Sequence, residues 1–254
     1  SRFGLEASAG RAMLRPRALL RPRRAPPPPC RSSHLWPRVG SACAPRHLCS
    51  RDHALGDGVQ RLDLRSDTPT RPSEAMLRAM AEAEAGDDAR GECRATRAFE
   101  EELAELTGME AAVFVPTCTM ANCIALLHHS QACKAYSFAC GRHCHIARSE
   151  DFAAKILGLA PALVEVTSEG LPEEASLQHA LDDGASFVCL ENTTWSTGVA
   201  WDEVPSLTCP IHLDGARLWN AEVALRKPAA ELCAGAATVS LCFSKGLGSP
   251  GGAA

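Results

Sequence analysis

Three short stretches put reactive side chains at the ends of apolar runs. In TVSLCFSKGLGSP, Val239, Leu241 and Phe243 alternate as one face of a buried strand, and Lys245 follows in a glycine-rich turn. A lysine held at a strand end among apolar neighbours is partly desolvated, which disfavours its ammonium form and frees the amine to attack a carbonyl. In PIHLDGARLWNA, Asp214 closes a second apolar run with Arg217 just beyond it. A carboxylate there is costly unless it meets a cation, and a protonated pyridine nitrogen is one such cation. In VPTCTMAN, Thr117 and Thr119 bring hydroxyls to a turn that opens a helix, whose free N–H groups and dipole favour a phosphate. Each stretch also has a plainer reading: a surface lysine on a turn, an Asp214–Arg217 ion pair, an ordinary helix N-cap. Together, a lysine, an acid and a phosphate cradle would hold the reactive carbon, the ring nitrogen and the phosphate of pyridoxal 5'-phosphate once each.

These residues need a scaffold that gathers strand ends. Short apolar runs at 111–115, 134–139, 162–166, 186–192, 210–214 and 238–244 read as strands. Between them lie helical stretches, among them one from Thr119 to His129. Two helices precede them: one from Pro72, with Met76, Leu77, Met80 and Ala83 on one face and ended by Gly86, and one over 95–106 with Gly108 just past its end. Strands separated by helices predict an α/β fold, a parallel sheet covered on both faces. In such a sheet ligands bind at the C-terminal strand ends, where Asp214, Lys245 and the Thr117–Thr119 turn all fall.

The charge divides the chain in two. The first 51 residues hold eleven arginines, no lysine and a single acid, Glu6, a net +10 against −14 for the rest of a chain whose total is −4. Rich in Arg, Ser and Pro, residues 1–60 read as a transit-like or disordered segment, and 61–254 as the folded unit. Mitochondrial delivery is the preferred expectation, with a cytoplasmic protein as the alternative. A nucleic-acid-binding arm has the same charge, but beyond Trp36 it lacks nearby aromatics for stacking on bases, so no nucleic-acid partner is expected. No apolar run approaches the roughly 18 residues of a membrane span, and no membrane partner is expected. Thirteen cysteines contain no CxxC pair. The tightest group, Cys140, His143, Cys144 and His145, lacks the second ligand pair of a closed zinc site, so buried thiols are expected rather than a metal.

The blocks LRSDTPTRPSEAMLRAM, EAGDDARGE, VFVPTCTMAN, CHIARSE, LENTTWSTG, IHLDGARLWNA and SKGLGSP occur in this order from about Leu62 to the end. In this they resemble the threonine aldolase family of pyridoxal phosphate-dependent lyases. The resemblance implies an aspartate-aminotransferase-like large domain of fold type I, with a mixed, mostly parallel sheet, working as a homo-oligomer on a small amino-acid substrate. It implies that Lys245 forms the Schiff base with the cofactor, Asp214 holds the pyridine N–H, and His145 stacks on the ring. Arg217 would lie near the cofactor's phenolic oxygen and the substrate carboxylate, Ser66 would contact that carboxylate, and Cys118 and Thr119 would belong to the phosphate loop. The implied reaction is retro-aldol cleavage of L-threonine or L-allo-threonine to glycine and acetaldehyde.

Departures from the pattern cluster at the site. Thr194 stands where the family has the histidine that handles the β-hydroxyl, and a hydroxyl cannot replace an imidazole as a base near neutral pH. Cys118 replaces a glycine, a change that would cost roughly 1–2 kcal/mol if the position needed φ > 0. Arg90, Cys93, Arg94 and Ser149 replace Tyr, Asp, Pro and Tyr. Family members continue past the lysine into a small domain, so the chain is expected to be cut short with that domain missing. Two readings stand: a threonine aldolase-like lyase, or an inactive remnant that binds the cofactor weakly or acts through its surface. If residues 1–60 are a transit segment, a reporter fused to them should enter mitochondria and lose the segment; diffuse cytosolic fluorescence with an intact N-terminus would refute this.

Overall fold

The computed structural model describes residues 64–254, within a compact unit spanning Gln60–Ala254. The basic segment assigned to residues 1–60 lies outside the described residues.

Five strands form one sheet in the order β2-β1-β3-β4-β5: β1 (Ser137–Gly141), β2 (Ala160–Val164), β3 (Val188–Glu191), β4 (Ile211–Gly215) and β5 (Thr238–Leu241). Every pairing is parallel. Among the described residues eight α-helices accompany them: α1 (Glu74–Glu82), α2 (Arg94–Thr107), α3 (Cys118–Cys133), α4 (His145–Arg148), α5 (Asp151–Ile156), α6 (Glu174–Asp182), α7 (Leu218–Leu225) and α8 (Ala229–Cys233).

The run at 111–115 does not become a strand. Val115 makes a single antiparallel bridge to Ala253, while Val113 and Phe114 stay exposed. Ala253 also bridges Cys242, and Leu241 and Ala254 exchange backbone hydrogen bonds; a further antiparallel bridge, Val166 to Pro172, closes the turn after β2. The mixed sheet expected from the resemblance is thus a parallel ladder with antiparallel bridges beside β5. The first helix is capped by the Ser73 hydroxyl, which accepts from Met76 N, and it ends at Glu82, with Ala83 already extended. Met76, Leu77 and Met80 do lie along one helical stripe, yet all three are exposed.

Strand alternation sorts the two faces of the sheet. Val188 and Leu190 of β3, Ile211 and Leu213 of β4, and Leu241 of β5 enter the larger apolar core, with Leu103, Leu177, Leu218 and Leu232 from the covering helices. The opposite face is partly polar. Cys189, His212 and Thr238 form one cross-strand row, and Glu191, Asp214 and Ser240 form the next, nearer the C-terminal ends. Over this face lies α3, whose Cys118, Asn122, Ala125, Leu126 and His129 recur at helical spacing and line up against the sheet. Cys140 and Cys144 pack with Phe138, Ile146 and Phe187 in a second apolar cluster on the same side, as buried thiols.

The C-terminal end of β4 leaves no room for a side chain at Gly215. A Cβ there would stand 2.8 Å from the Ser240 carbonyl oxygen and 3.3 Å from the Leu218 Cβ. Gly215→Ala should therefore spread β4 from β5 and lower stability by about 1–3 kcal/mol, read from urea unfolding midpoints; an unchanged midpoint would show that the strands yield freely.

Candidate active site

Asp214, the penultimate residue of β4, is 4 % exposed. Its Oδ1 accepts from the Ala216 N–H at 3.1 Å, and its Oδ2 accepts from Asn122 Nδ2 at 3.1 Å. Those two donors offset part of the cost of burying the carboxylate. A carboxylate has about four acceptor positions, so Asp214 can still receive a proton donor from the cleft it lines.

That cleft lies at the C-terminal strand ends and is lined by His145, Glu191, Thr193, Trp195, Asp214, Ala216, Arg217 and Lys245. Lys245 sits half-buried in the turn after β5. The Thr70 hydroxyl bonds to the carbonyls of Ser244 and Lys245, at 3.0 and 2.7 Å, which ties this turn to the segment before α1. Gly246 lets the turn close, since a Cβ there would meet Asn220 Oδ1 at 2.7 Å. The Lys245 amine makes no hydrogen bond or ion pair among the described residues, which leaves it available to a carbonyl compound.

Arg217 does not pair with Asp214. Its guanidinium forks onto Asp67, Nε to Oδ2 at 2.7 Å and Nη2 to Oδ1 at 2.8 Å. This bidentate bond holds the Asp67 carboxyl below the usual carboxylate range. A substrate carboxylate would have to share the guanidinium with Asp67.

His145 opens α4 one turn after β1. Its ring meets Trp195 edge to face, centroids 5.7 Å apart, and its Nδ1 lies 3.5 Å from Glu150 Oε1. The same Oε1 accepts from the Thr119 hydroxyl at 2.7 Å. Thr119 is therefore committed to a buried carboxylate, where the resemblance implied a phosphate ligand. Thr117 caps α3, accepting from Met120 N at 3.2 Å. Cys118 takes the first helical position, and the non-glycine residues with positive φ among those described are Lys134 and Arg226, so the thiol carries no left-handed strain. Its Sγ lies 3.8 Å from Ser240 Oγ. The neighbouring Cys242 thiol is pushed down to about 5, chiefly by its hydrogen bond with Cys118 and further by Ser244 and the Lys245 charge. Ser66 is exposed, bonded to Asp67 Oδ1 at 3.4 Å and to the Thr68 N–H at 3.3 Å.

The structure thus brings Lys245, Asp214, His145 and Arg217 to one cleft and leaves Ser66, Cys118 and Thr119 outside its lining. Sequence reasoning passed over Asn122, Glu150, Asp67 and Glu191. Glu191 ends β3 and lines the cleft, accepting from His145 N at 2.9 Å and Trp195 N at 2.6 Å. Burial pushes its carboxyl up to about 7. The signals were present as buried-register polar residues: Glu191 and Asp214 are paired across adjacent strands. Thr194 is 1 % exposed and turns away into its own loop, its hydroxyl within hydrogen-bonding distance of Thr197 Oγ1 at 2.5 Å and the Val199 carbonyl at 3.3 Å. A larger apolar groove of about 340 Å³ runs beside β5, but its titratable lining is limited to Glu110 and His128, and it contains no residue of the cleft.

A family model described as "Beta-eliminating lyase" matches residues 63–254. The chain belongs to the beta-eliminating lyase family. Among its relatives are Low-specificity L-threonine aldolase 1 of Arabidopsis thaliana, 37 % identical over 213 residues, and Low specificity L-threonine aldolase of Escherichia coli strain K12, 36 % identical over 205. These alignments take in 76 % and 75 % of this chain but 59 % and 61 % of the relatives, so the chain spans about three-fifths of their length. Among solved structures, a putative aromatic amino acid beta-eliminating lyase/threonine aldolase from Exiguobacterium sp. 255-15 superposes with a TM-score of 0.58 at 27 % identity, covering 72 % of this chain and 55 % of that one. A putative L-allo-threonine aldolase from Listeria monocytogenes EGD-E shares the fold, with a TM-score of 0.60 at 24 % identity, covering 74 % of this chain and 57 % of that one. The large-domain fold of type I pyridoxal phosphate enzymes expected from the sequence is therefore the observed fold.

The buried titratable groups set opposing pH dependences. Burial pushes His212 and His129 down to about 4. Their stabilising contribution is complete above their unfolded value of about 6.5 and is lost as pH falls toward 4. Glu191 acts in the other direction: with a folded value near 7, its contribution is lost as pH rises from its unfolded value of about 4.5. Two histidines outweigh one carboxyl between pH 6.5 and 4.5, so the urea midpoint should fall on acidification. The fall should steepen in Glu191→Gln, and a shallower fall in that variant would contradict the assignment.

Proposed function

We propose that this chain binds pyridoxal 5'-phosphate and serves the retro-aldol cleavage of L-threonine or L-allo-threonine to glycine and acetaldehyde. One observation carries the reading: Lys245, Asp214, His145 and Arg217, drawn from the ends of four different elements, line a single cleft at the C-terminal edge of the sheet.

The residues present fit that cofactor. Asp214 is a buried acid with acceptor capacity to spare, suited to a pyridinium N–H, and Lys245 offers an amine with no competing hydrogen bond among the described residues. When bound, pyridoxal phosphate would supply the carbonyl that the lysine amine attacks and a ring able to take up the electrons of the breaking carbon–carbon bond. His145, braced between Trp195 and Glu150, covers one side of the cleft and limits water entry there. Arg217 orients a substrate carboxylate, at the cost of loosening its fork on Asp67. The free N–H groups at the start of α3 face the phosphate role, with the Cys118 side chain beside them. The homo-oligomer is part of this reading, and the exposed Met76, Leu77 and Met80 of α1 supply an apolar surface for it.

A second reading, cofactor binding without useful turnover, draws support from Thr194. The position expected to carry the β-hydroxyl base holds a hydroxyl that is buried in its own loop. Proton transfer by a positioned base is typically worth about 10²–10⁴-fold. We assign that proton to Glu191, which lines the same cleft and whose carboxyl is pushed up to about 7 by burial.

Titrating the purified chain with pyridoxal phosphate should produce absorbance near the visible edge, abolished in Lys245→Ala. Glycine release from threonine should be about 10²–10⁴-fold slower than in the threonine aldolase relatives and should vanish in Glu191→Gln. Absence of the band in the unsubstituted chain would overturn the cofactor site; turnover equal to that of the relatives would overturn the weight given to Thr194.

A further inference from the structure

Beneath the cleft lies a chain of buried polar groups that the reaction does not touch. At its centre is Asn122, in the second turn of α3 and 1 % exposed. Its carboxamide is completely satisfied: Nδ2 donates to Asp214 Oδ2 at 3.1 Å and to Glu150 Oε2 at 2.9 Å, while Oδ1 accepts from Ser240 Oγ at 2.7 Å and lies 3.1 Å from His212 Nε2. Flipping the amide would turn its oxygen toward two carboxylates and its N–H groups toward a hydroxyl and a ring nitrogen, so the arrangement has one sense.

That sense propagates. Because Asn122 Oδ1 can only accept, His212 Nε2 must donate, which leaves Nδ1 of a neutral ring as an acceptor for the Thr238 hydroxyl 2.9 Å away. The Thr238 oxygen, its proton used, accepts from His129 Nε2 at 2.8 Å. The line from His129 through Thr238 and His212 to Asn122 therefore points every donor toward the cleft. It ends on two acids with separate duties, Asp214 in the cleft and Glu150, which lies 3.5 Å from His145 Nδ1.

We propose that Asn122 is a positioning residue for the cofactor site: its two carboxamide protons aim Asp214 at the ring nitrogen and hold Glu150 against His145. It touches no cofactor atom itself and acts through these two acids, so one side chain sets both the partner of the ring nitrogen and the side chain covering the ring. The inference rests on the pyridoxal phosphate reading of the cleft, and it extends that reading to residues on α3 and β4.

The test uses the full 254-residue chain. Asn122→Leu removes both donors at similar volume, and Asn122→Asp replaces the donor by an acceptor at the same size. Both should weaken pyridoxal phosphate binding about ten- to a hundredfold, Asn122→Asp the more. Both should also shift the ¹³C carboxyl resonance of Asp214 and the ¹⁵N resonances of His145 in the cofactor-free protein. Affinity within twofold of the parent chain, or unmoved resonances in a folded variant, would overturn the proposal. Should the variants not fold, ¹⁵N spectra of the parent chain decide: the proposal requires His212 with its proton on Nε2 and an accepting Nδ1, and the opposite tautomer refutes it. If the parent chain itself binds no pyridoxal phosphate, the cofactor reading fails, while the spectra still report on the positioning chain.

Discussion

Burying the Asp214 side chain at the end of β4 is the constraint on which the rest of the site depends. Asp214 is almost wholly buried, and it is tolerated there because a backbone N–H reaches one of its oxygens and a side-chain amide the other. The amide comes from α3, so this helix must lie across the polar face of the sheet in one register. One helical position earlier or later, and Asn122 would leave the row formed by Glu191, Asp214 and Ser240. The polar stripe on α3 and the polar rows on β4 and β5 are therefore two halves of one requirement.

The turn that carries Lys245 depends on a different part of the chain. Residues 64–73 form no helix or strand, yet they supply Asp67 to Arg217 and Thr70 to the carbonyls of Ser244 and Lys245. A partly exposed ion pair of this kind contributes little to stability. Its effect is geometric: the planar fork fixes where the guanidinium points, and the Thr70 bonds fix where the lysine turn sits. A loop segment far away in sequence thereby shapes the cleft without entering its lining.

The loop after β3 shows how a replaced side chain can be absorbed. Thr194 fills its position as a structural hydroxyl, bonded to its own turn, while Trp195 swings over His145 and both Glu191 oxygens take backbone N–H groups. The cleft gathers a lysine, two acids, an arginine and a histidine.

The alternation of IHLDG and TVSLCFS, the helical spacing of α2 and α3, and the placement of Lys245 and Asp214 at or just past strand ends were all legible in the sequence, because period and chain order set which elements form and which of their ends carry function. The seven ordered blocks likewise placed the chain among threonine aldolase-like enzymes. The fate of 111–115 was not legible, since an apolar run becomes a strand only if a neighbour offers a ladder, and here a single residue, Ala253, does so. Nor could spacing decide that Arg217 would choose Asp67 over Asp214, or that Thr119 would turn to Glu150. Each of those choices is made between groups up to 150 positions apart, and burial rewards whichever arrangement leaves no charge or donor unpaired. Asn122 is the extreme case: within its helix it is one more polar residue, and only the packing of α3 on the sheet gives its two protons two buried carboxylates to hold.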